Sequence, residues 1–160
     1  MSRVPLGHRC WEDFAEDEVL APASYPLSVM RLVMAAGANR DFNSIHHNAD
    51  FARASGAPDM YANTYFLQGM WERCVRDHLG PACRLHSLQG FRMKAFNTAG
   101  QTVVVRARVT RKWLQDGLGL LDIGIHSETA QGITVGPGRV LASLPLRHPP
   151  GSRAHAPSAT

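Results

Sequence analysis

The stretch Ala62–Leu79, ANTYFLQGMWERCVRDHL, decides the fold. Phe66, Leu67, Met70, Trp71, Cys74, Val75 and His78 or Leu79 recur at steps of three and four, so one broad face of a helix is apolar. Gln68, Glu72, Arg73, Arg76 and Asp77 fall on the other side, with Glu72 and Arg76 spaced to pair. Asn63 is a natural N-cap, and Gly80-Pro81 ends the helix. A helix with so wide an apolar face needs something broad to lie against.

Downstream, the period changes from 3.6 to 2. Val103, Val105, Ala107 and Val109 alternate with Val104, Arg106, Arg108 and Thr110, as a half-buried strand requires. Leu121, Ile123 and Ile125 repeat the pattern after an Asp116-Gly117 turn signal. Gln131-Gly132 opens another turn, and Ile133–Val135 and Val140–Leu144 read as further strands. Arg84–Phe96 reads as a less clearly patterned one. The short connections favour hairpins over parallel crossovers. The predicted class is α+β: four or five antiparallel strands wrapped around a long central helix.

Upstream, the chain reads as helical and irregular. Trp11–Phe14 can anchor the start of the domain. Leu27–Ala36 is apolar, with Ser28 as N-cap and Gly37 and Asn39 as stops. A loop, Asn39–Asn48 (NRDFNSIHHN), and a short helix near Ala49–Ala54 follow. The last residues, Leu146–Thr160, lack apolar periodicity and read as a disordered tail, leaving Met1–Pro145 as one domain.

Composition narrows the function classes. The net charge is +4, but Arg147 and Arg153 lie in the tail, which has no acid, and the other basic residues are scattered. Nucleic acid is therefore not an expected partner. Cys10, Cys74 and Cys83 show no metal-ligand spacing, and an odd count favours a reducing compartment. No apolar run approaches the roughly 20 residues that span a bilayer, and no secretory signal is visible. A cytoplasmic protein without a membrane or metal partner is expected.

The chemistry concentrates in Asp41-Phe42-Asn43-Ser44-Ile45-His46. A carboxylate and an imidazole five residues apart, in a loop rich in turn-formers, can converge on one water and pass protons to carbon and oxygen. Spacing alone leaves the alternative that Asp41 caps a turn and His46 sits at the surface. His47 should point away from its neighbour, since adjacent side chains of an extended loop diverge. Phe66, Met70 and Trp71 read as core, Cys74 as inert, and Arg92 and Lys94 as solvated strand charges rather than contacts to a carrier's phosphates.

This stretch resembles the signature of MaoC-like dehydratases and (R)-specific enoyl-CoA hydratases, D-x-N-P-x-H. In that family a short helix, a variable loop and H-G-M at the start of the central helix come next. Asp41, Asn43 and His46 match, and the helix around Phe51–Ala54 falls where the family has one. Ser44 replaces the proline, and Asn63-Thr64 stands in place of His-Gly. The order of elements over Trp11–Pro145 fits the hotdog fold of that family. The resemblance implies reversible addition of water to a 2-enoyl thioester carried on CoA or acyl-carrier protein, with no further cofactor. Asp41 and His46 would be the catalytic pair. The N–H of Thr64, with Asn63 as cap or second donor, would meet the thioester oxygen, because a helix N-terminus offers unpaired N–H groups whatever its side chains. Two alternatives accompany it. A hotdog acyl-CoA thioesterase is faintly suggested by Asp41 with His46-His47-Asn48, although the glycine of D-x-x-G-H-x-N is missing. The chain could instead be one subunit of a heteromeric hydratase, as in steroid side-chain enoyl-CoA hydratases of actinobacteria. An open sheet edge implies a homodimer or a heteromer with another hotdog chain.

Overall fold

In the computed structural model, which describes residues 9–147, the chain forms a five-stranded sheet and three α-helices. In chain order these are β1 (Val19–Pro26), α1 (Val29–Ala38), α2 (Ala49–Ala54), α3 (Thr64–Leu79), β2 (Arg84–Gln89), β3 (Thr102–Gln115), β4 (Leu118–Thr129) and β5 (Gly132–Leu144). Short 3-10 turns occupy Trp11–Asp13 and Ser44–His46. The strand order is β1-β3-β4-β5-β2, with every neighbouring pair antiparallel.

The long hairpin β3–β4 follows its alternation. Val103, Val105, Ala107 and Val109 are buried on one face, opposite Leu121, Ile123 and Ile125. Asp116 and Gly117 both take positive φ at its tip, at 51° and 76°, as a two-residue turn matched to strand twist requires. Helix α3 fills the concave side of the sheet. Leu67, Met70, Trp71, Cys74, Val75 and Leu79 are all buried there, as the 3.6 period demands. Each large apolar side chain so buried contributes about 1.5–3 kcal/mol. Phe66 is only partly buried and packs at the margin of this core. Trp71 also donates Nε1–H to Ser127 Oγ at 2.7 Å, which satisfies its polar edge and fixes the helix over β4. The N-terminal anchor is present too: Phe14 is buried, and Trp11 Nε1 donates to Leu120 O.

Three expectations need correction. The first half, read as helical and irregular, also holds a strand, because Val19–Pro26 pairs with β3 at the sheet edge. Pro22 falls at its bulge, between Leu20 and Ala23, and Pro26 closes it. Prolines are tolerated at such edge positions, and they erase the alternation that reveals a strand. Arg84–Phe96 is a strand only to Gln89; the rest is irregular, with an isolated bridge from Met93 to Val135. The two strands expected at Ile133–Val135 and Val140–Leu144 are one, β5, running through Gly136-Pro137-Gly138. Glycine is needed at 138: a Cβ there would lie 2.4 Å from Gln89 O and 2.9 Å from the Trp71 ring.

Of the expected tail, Leu146 and Arg147 are described, and the Arg147 N–H and guanidinium meet the carboxylates of Glu12 and Asp13. The remainder lies outside the described residues. Among the described residues, no helix is long and apolar enough to cross a membrane.

Candidate active site

The position of Asp41 follows from how α1 ends. Asn39 is the C-cap, Arg40 takes the left-handed conformation at φ 55°, and the chain then reverses. Arg40 N–H reaches Gly37 O at 3.1 Å and Asp41 N–H reaches Ala36 O at 2.9 Å. This is the paired bonding of a Schellman motif, in which the left-handed residue is usually glycine. Here an arginine occupies it, and the reversal carries Asp41 back over the helix end.

His46 is placed by the 3-10 turn that follows. Asn43 caps that turn through its side chain, accepting from Ile45 N–H, and His46 N–H bonds Asn43 O. His46 is buried, with 6% of its surface exposed. Its Nδ1 lies 2.8 Å from Tyr61 O, and its Nε2 lies 3.1 Å from Asp41 Oδ2. A carbonyl oxygen only accepts, so Nδ1 carries a proton. Nε2 and the carboxylate then face each other at hydrogen-bonding distance, an arrangement that is attractive only when one proton sits between them. The Tyr61 ring stands edge-on to the imidazole at 5.3 Å, and Phe96 packs on Tyr61 at 4.8 Å. His47 is exposed, as expected, but as the C-cap of the 3-10 turn and not as part of an extended loop.

The start of α3 forms the other side. Asn63 caps it, with Oδ1 accepting from Phe66 N–H at 2.8 Å and the backbone O accepting from Leu67 N–H at 3.2 Å. Thr64 and Tyr65, the first helical residues, have N–H groups with no intrahelical acceptor, and both residues are exposed. Thr64 Oγ1 lies 3.6 Å from Met93 Sδ. The segment Tyr61–Asn63 grips the loop before it at both ends. Tyr61 O holds His46, and Asn63 Oδ1 accepts from Asn39 Nδ2 at 3.1 Å, two residues before Asp41. The segment is itself held from behind, where Ala62 N–H bonds Asn97 O. Proton-transfer groups and exposed amides thus share one rigid neighbourhood.

Asp41, His46, Asn63 and Thr64 are therefore all brought to one end of α3. Two residues that matter to this geometry, Tyr61 and Asn39, were not legible as site residues. Tyr61 acts through its carbonyl, which every residue has, and Asn39 showed only as a helix stop. Arg92 and Lys94 flank Met93 as exposed residues with no contact to the pair. The described clefts, lined around Gly90, Pro137 and Arg139 and around Gln101, Glu128 and Gln131, lie elsewhere.

No protein-family model matches the chain. Among known structures, an unliganded R-hydratase PhaJ1 from Pseudomonas aeruginosa superposes with a TM-score of 0.76 over 86% of each chain, at 15% identity. The ChsH1-ChsH2 complex from Mycobacterium tuberculosis matches with a TM-score of 0.74 over 81% of this chain and 98% of that one, at 28% identity. The fold is the hotdog fold of the MaoC-like dehydratases and (R)-hydratases. In sequence, the chain is 36% identical over 87 residues to the 3-oxo-4,17-pregnadiene-20-carboxyl-CoA hydratase beta subunit of Mycobacterium tuberculosis. That match covers 54% of this chain and 65% of the relative, somewhat less than two thirds of its length. In this hotdog fold, then, the central helix is α3, and the acid–imidazole pair lies beside its N-terminus.

Proposed function

We propose that the chain is a hydratase or dehydratase that adds water reversibly to a 2-enoyl thioester, giving a 3-hydroxyacyl thioester. The observation that carries this reading is the 3.1 Å contact between Asp41 Oδ2 and His46 Nε2 next to the open amides of α3. In the forward direction, the pair removes a proton from water as its oxygen bonds to C3. The C2–C3 π electrons move toward the thioester carbonyl, whose oxygen gains charge. Thr64 N–H and the positive end of α3 stabilise that charge, and the pair returns a proton to C2. General acid–base groups contribute about 10²–10⁴-fold to such steps, and one oxyanion donor about 10²–10³-fold. The carrier, CoA or acyl-carrier protein, arrives with the substrate, so the chemistry calls on no other cofactor.

The relative's name supports a CoA thioester with a bulky polycyclic acyl group. Apolar side chains are exposed at the site, Phe42 beside Asp41 and Tyr65 on α3, and others, Val29, Met30, Val33 and Met34, are exposed along α1, the helix that leads into Asp41. Such a surface suits a large apolar acyl group.

A second hotdog chain completes the arrangement in this reading. The outer strands β1 and β2 each keep one unpaired edge among the described residues. Two of the similar structures are complexes of two different chains, ChsH1-ChsH2 and HadBC. Because this chain holds Asp41 and His46, it would be the catalytic member of such a pair. The test is loss of enoyl absorbance with crotonyl-CoA and a bulkier enoyl-CoA, for the protein alone and with a second hotdog chain. Release of free thiol without loss of the enoyl group would replace this reading with the thioesterase one.

A further inference from the structure

The amide of Asn63 has one end in use and one end free. Its Oδ1 accepts from Phe66 N–H and from Asn39 Nδ2. A backbone N–H can only donate, so the atom facing Phe66 has to be the oxygen, and the amide cannot be turned over. The Asn39 atom that meets this oxygen has to be nitrogen for the same reason. Nδ2 is therefore left on the far side of the Asn63 amide, where it has no acceptor among the described residues although the residue is only 3% exposed. Buried donors without partners are rare because desolvation goes uncompensated. This one sits next to Thr64, whose own N–H is also without an intrahelical acceptor.

We infer that Asn63 Nδ2–H is a second hydrogen-bond donor to the substrate's thioester oxygen, and that Asn39 is a positioning residue that steadies the plane of the Asn63 amide, whose donating end Phe66 N–H already sets. The inference rests on the hydratase reading and assigns a task to a residue outside the acid–imidazole pair. It also explains why a hydrogen bond between two side-chain amides spans the site. Asn39 ends α1 two residues before Asp41, so this contact sets the oxyanion donors and the proton-transfer loop in one register. Losing Asn39 would leave the cap bond to Phe66 in place but allow the amide to swing.

Serine separates the two functions of Asn63. It caps a helix about as well as asparagine but cannot extend an amide N–H. Asn63→Ser is expected to lower kcat for crotonyl-CoA hydration by about 10²–10³-fold, with little change in KM or Tm. Asn39→Ala should lower kcat by about tenfold, the size of coupling typical of residues in contact. In the Asn63→Ser background, Asn39→Ala should have no further effect. Equal losses in both backgrounds, or full kcat in Asn63→Ser, would overturn the inference.

A second readout does not depend on turnover. In ¹⁵N-labelled protein, butyryl-CoA, a saturated thioester that cannot be hydrated, should shift the Asn63 side-chain amide resonances. Saturating butyryl-CoA that leaves them unmoved counts against the inference even if the enzyme is active. Wild-type protein that hydrates no enoyl thioester, with or without a second hotdog chain, would sink the hydratase reading instead.

Discussion

The two ends of α3 are built on opposite principles. At the C-terminus the last turn is tied into the rest of the fold. Gly80 N–H returns to Arg76 O, Arg9 donates to His78 O, and His78 Nδ1 donates to Cys74 O at 2.7 Å. Leu79 is fully buried, and Gly80 turns the chain at φ 85°, ψ 176°. Among the described residues, the buried side-chain atom His78 Nε2 has no partner there; it becomes the lone-pair nitrogen of the ring once Nδ1 donates. At the N-terminus the N–H groups of Thr64 and Tyr65 and the Asn63 Nδ2 find no acceptor among the described residues, and the residues around them are polar or exposed. An end packed into the core and tied to its neighbours can only hold the fold. An end with N–H groups to spare is ready to bind a negative charge.

Substitutions at the two ends should therefore separate rate from stability. Asp41→Asn and His46→Ala should each lower hydration of an enoyl-CoA by about 10²–10⁴-fold, with the far-ultraviolet circular dichroism of both proteins remaining native. Full activity in either would break the contrast at its reactive end. Leu79→Ala should do the reverse, costing about 2–5 kcal/mol in urea denaturation while kcat per folded molecule stays at the wild-type value. Gly80→Ala tests the turn itself, since its backbone lies in a region almost reserved for glycine, and should cost about 1–3 kcal/mol.

A pH experiment sharpens the same division. Burial pushes the Cys74 thiol up from 9.0 to about 12. The folded value lies above the unfolded one, so the associated stability is intact below pH 9 and is lost as pH rises from 9 toward 12. Below that window Cys74 stays a neutral thiol, and it should resist a disulfide reagent at pH 8 until the protein is unfolded. Rapid labelling of Cys74 in native protein would show that the packed end opens. The smallest effect belongs to the exposed pair Arg73–Asp77 on the outer face of α3. Arg73→Ala should change stability by less than about 0.5 kcal/mol, a difference resolved by paired denaturation curves.

The legibility of the molecule followed its periodicity. Helix α3 and the β3–β4 hairpin were plain because each buries one face, and burial writes a period into the sequence. Strand β1 was hidden by its prolines and by having little more than Leu20 buried. The continuity of β5 was hidden by Gly136-Pro137-Gly138, which reads as a break. It is a crossing over the Trp71 ring, a packing partner more than 60 residues away in the chain. Asp41, His46, Asn63 and Thr64 could be nominated from residue types and from the family resemblance. Tyr61 and Asn39 could not, because their contributions are a backbone carbonyl and a side-chain contact across 24 residues.

By itself, the chain's order of residues determined the chemical inventory and the local elements: a carboxylate and an imidazole in one short loop, a capped amphipathic helix, and strands with one apolar face. These are properties of neighbours, and neighbours interact in any compact state of the chain. Only the tertiary structure decided that the loop's acid and base touch, which nitrogen of His46 holds its proton, and which end of the Asn63 amide is left without a partner. Those outcomes depend on hydrogen bonds between segments distant in sequence, whose distances and directions exist only after α3 has settled on the sheet.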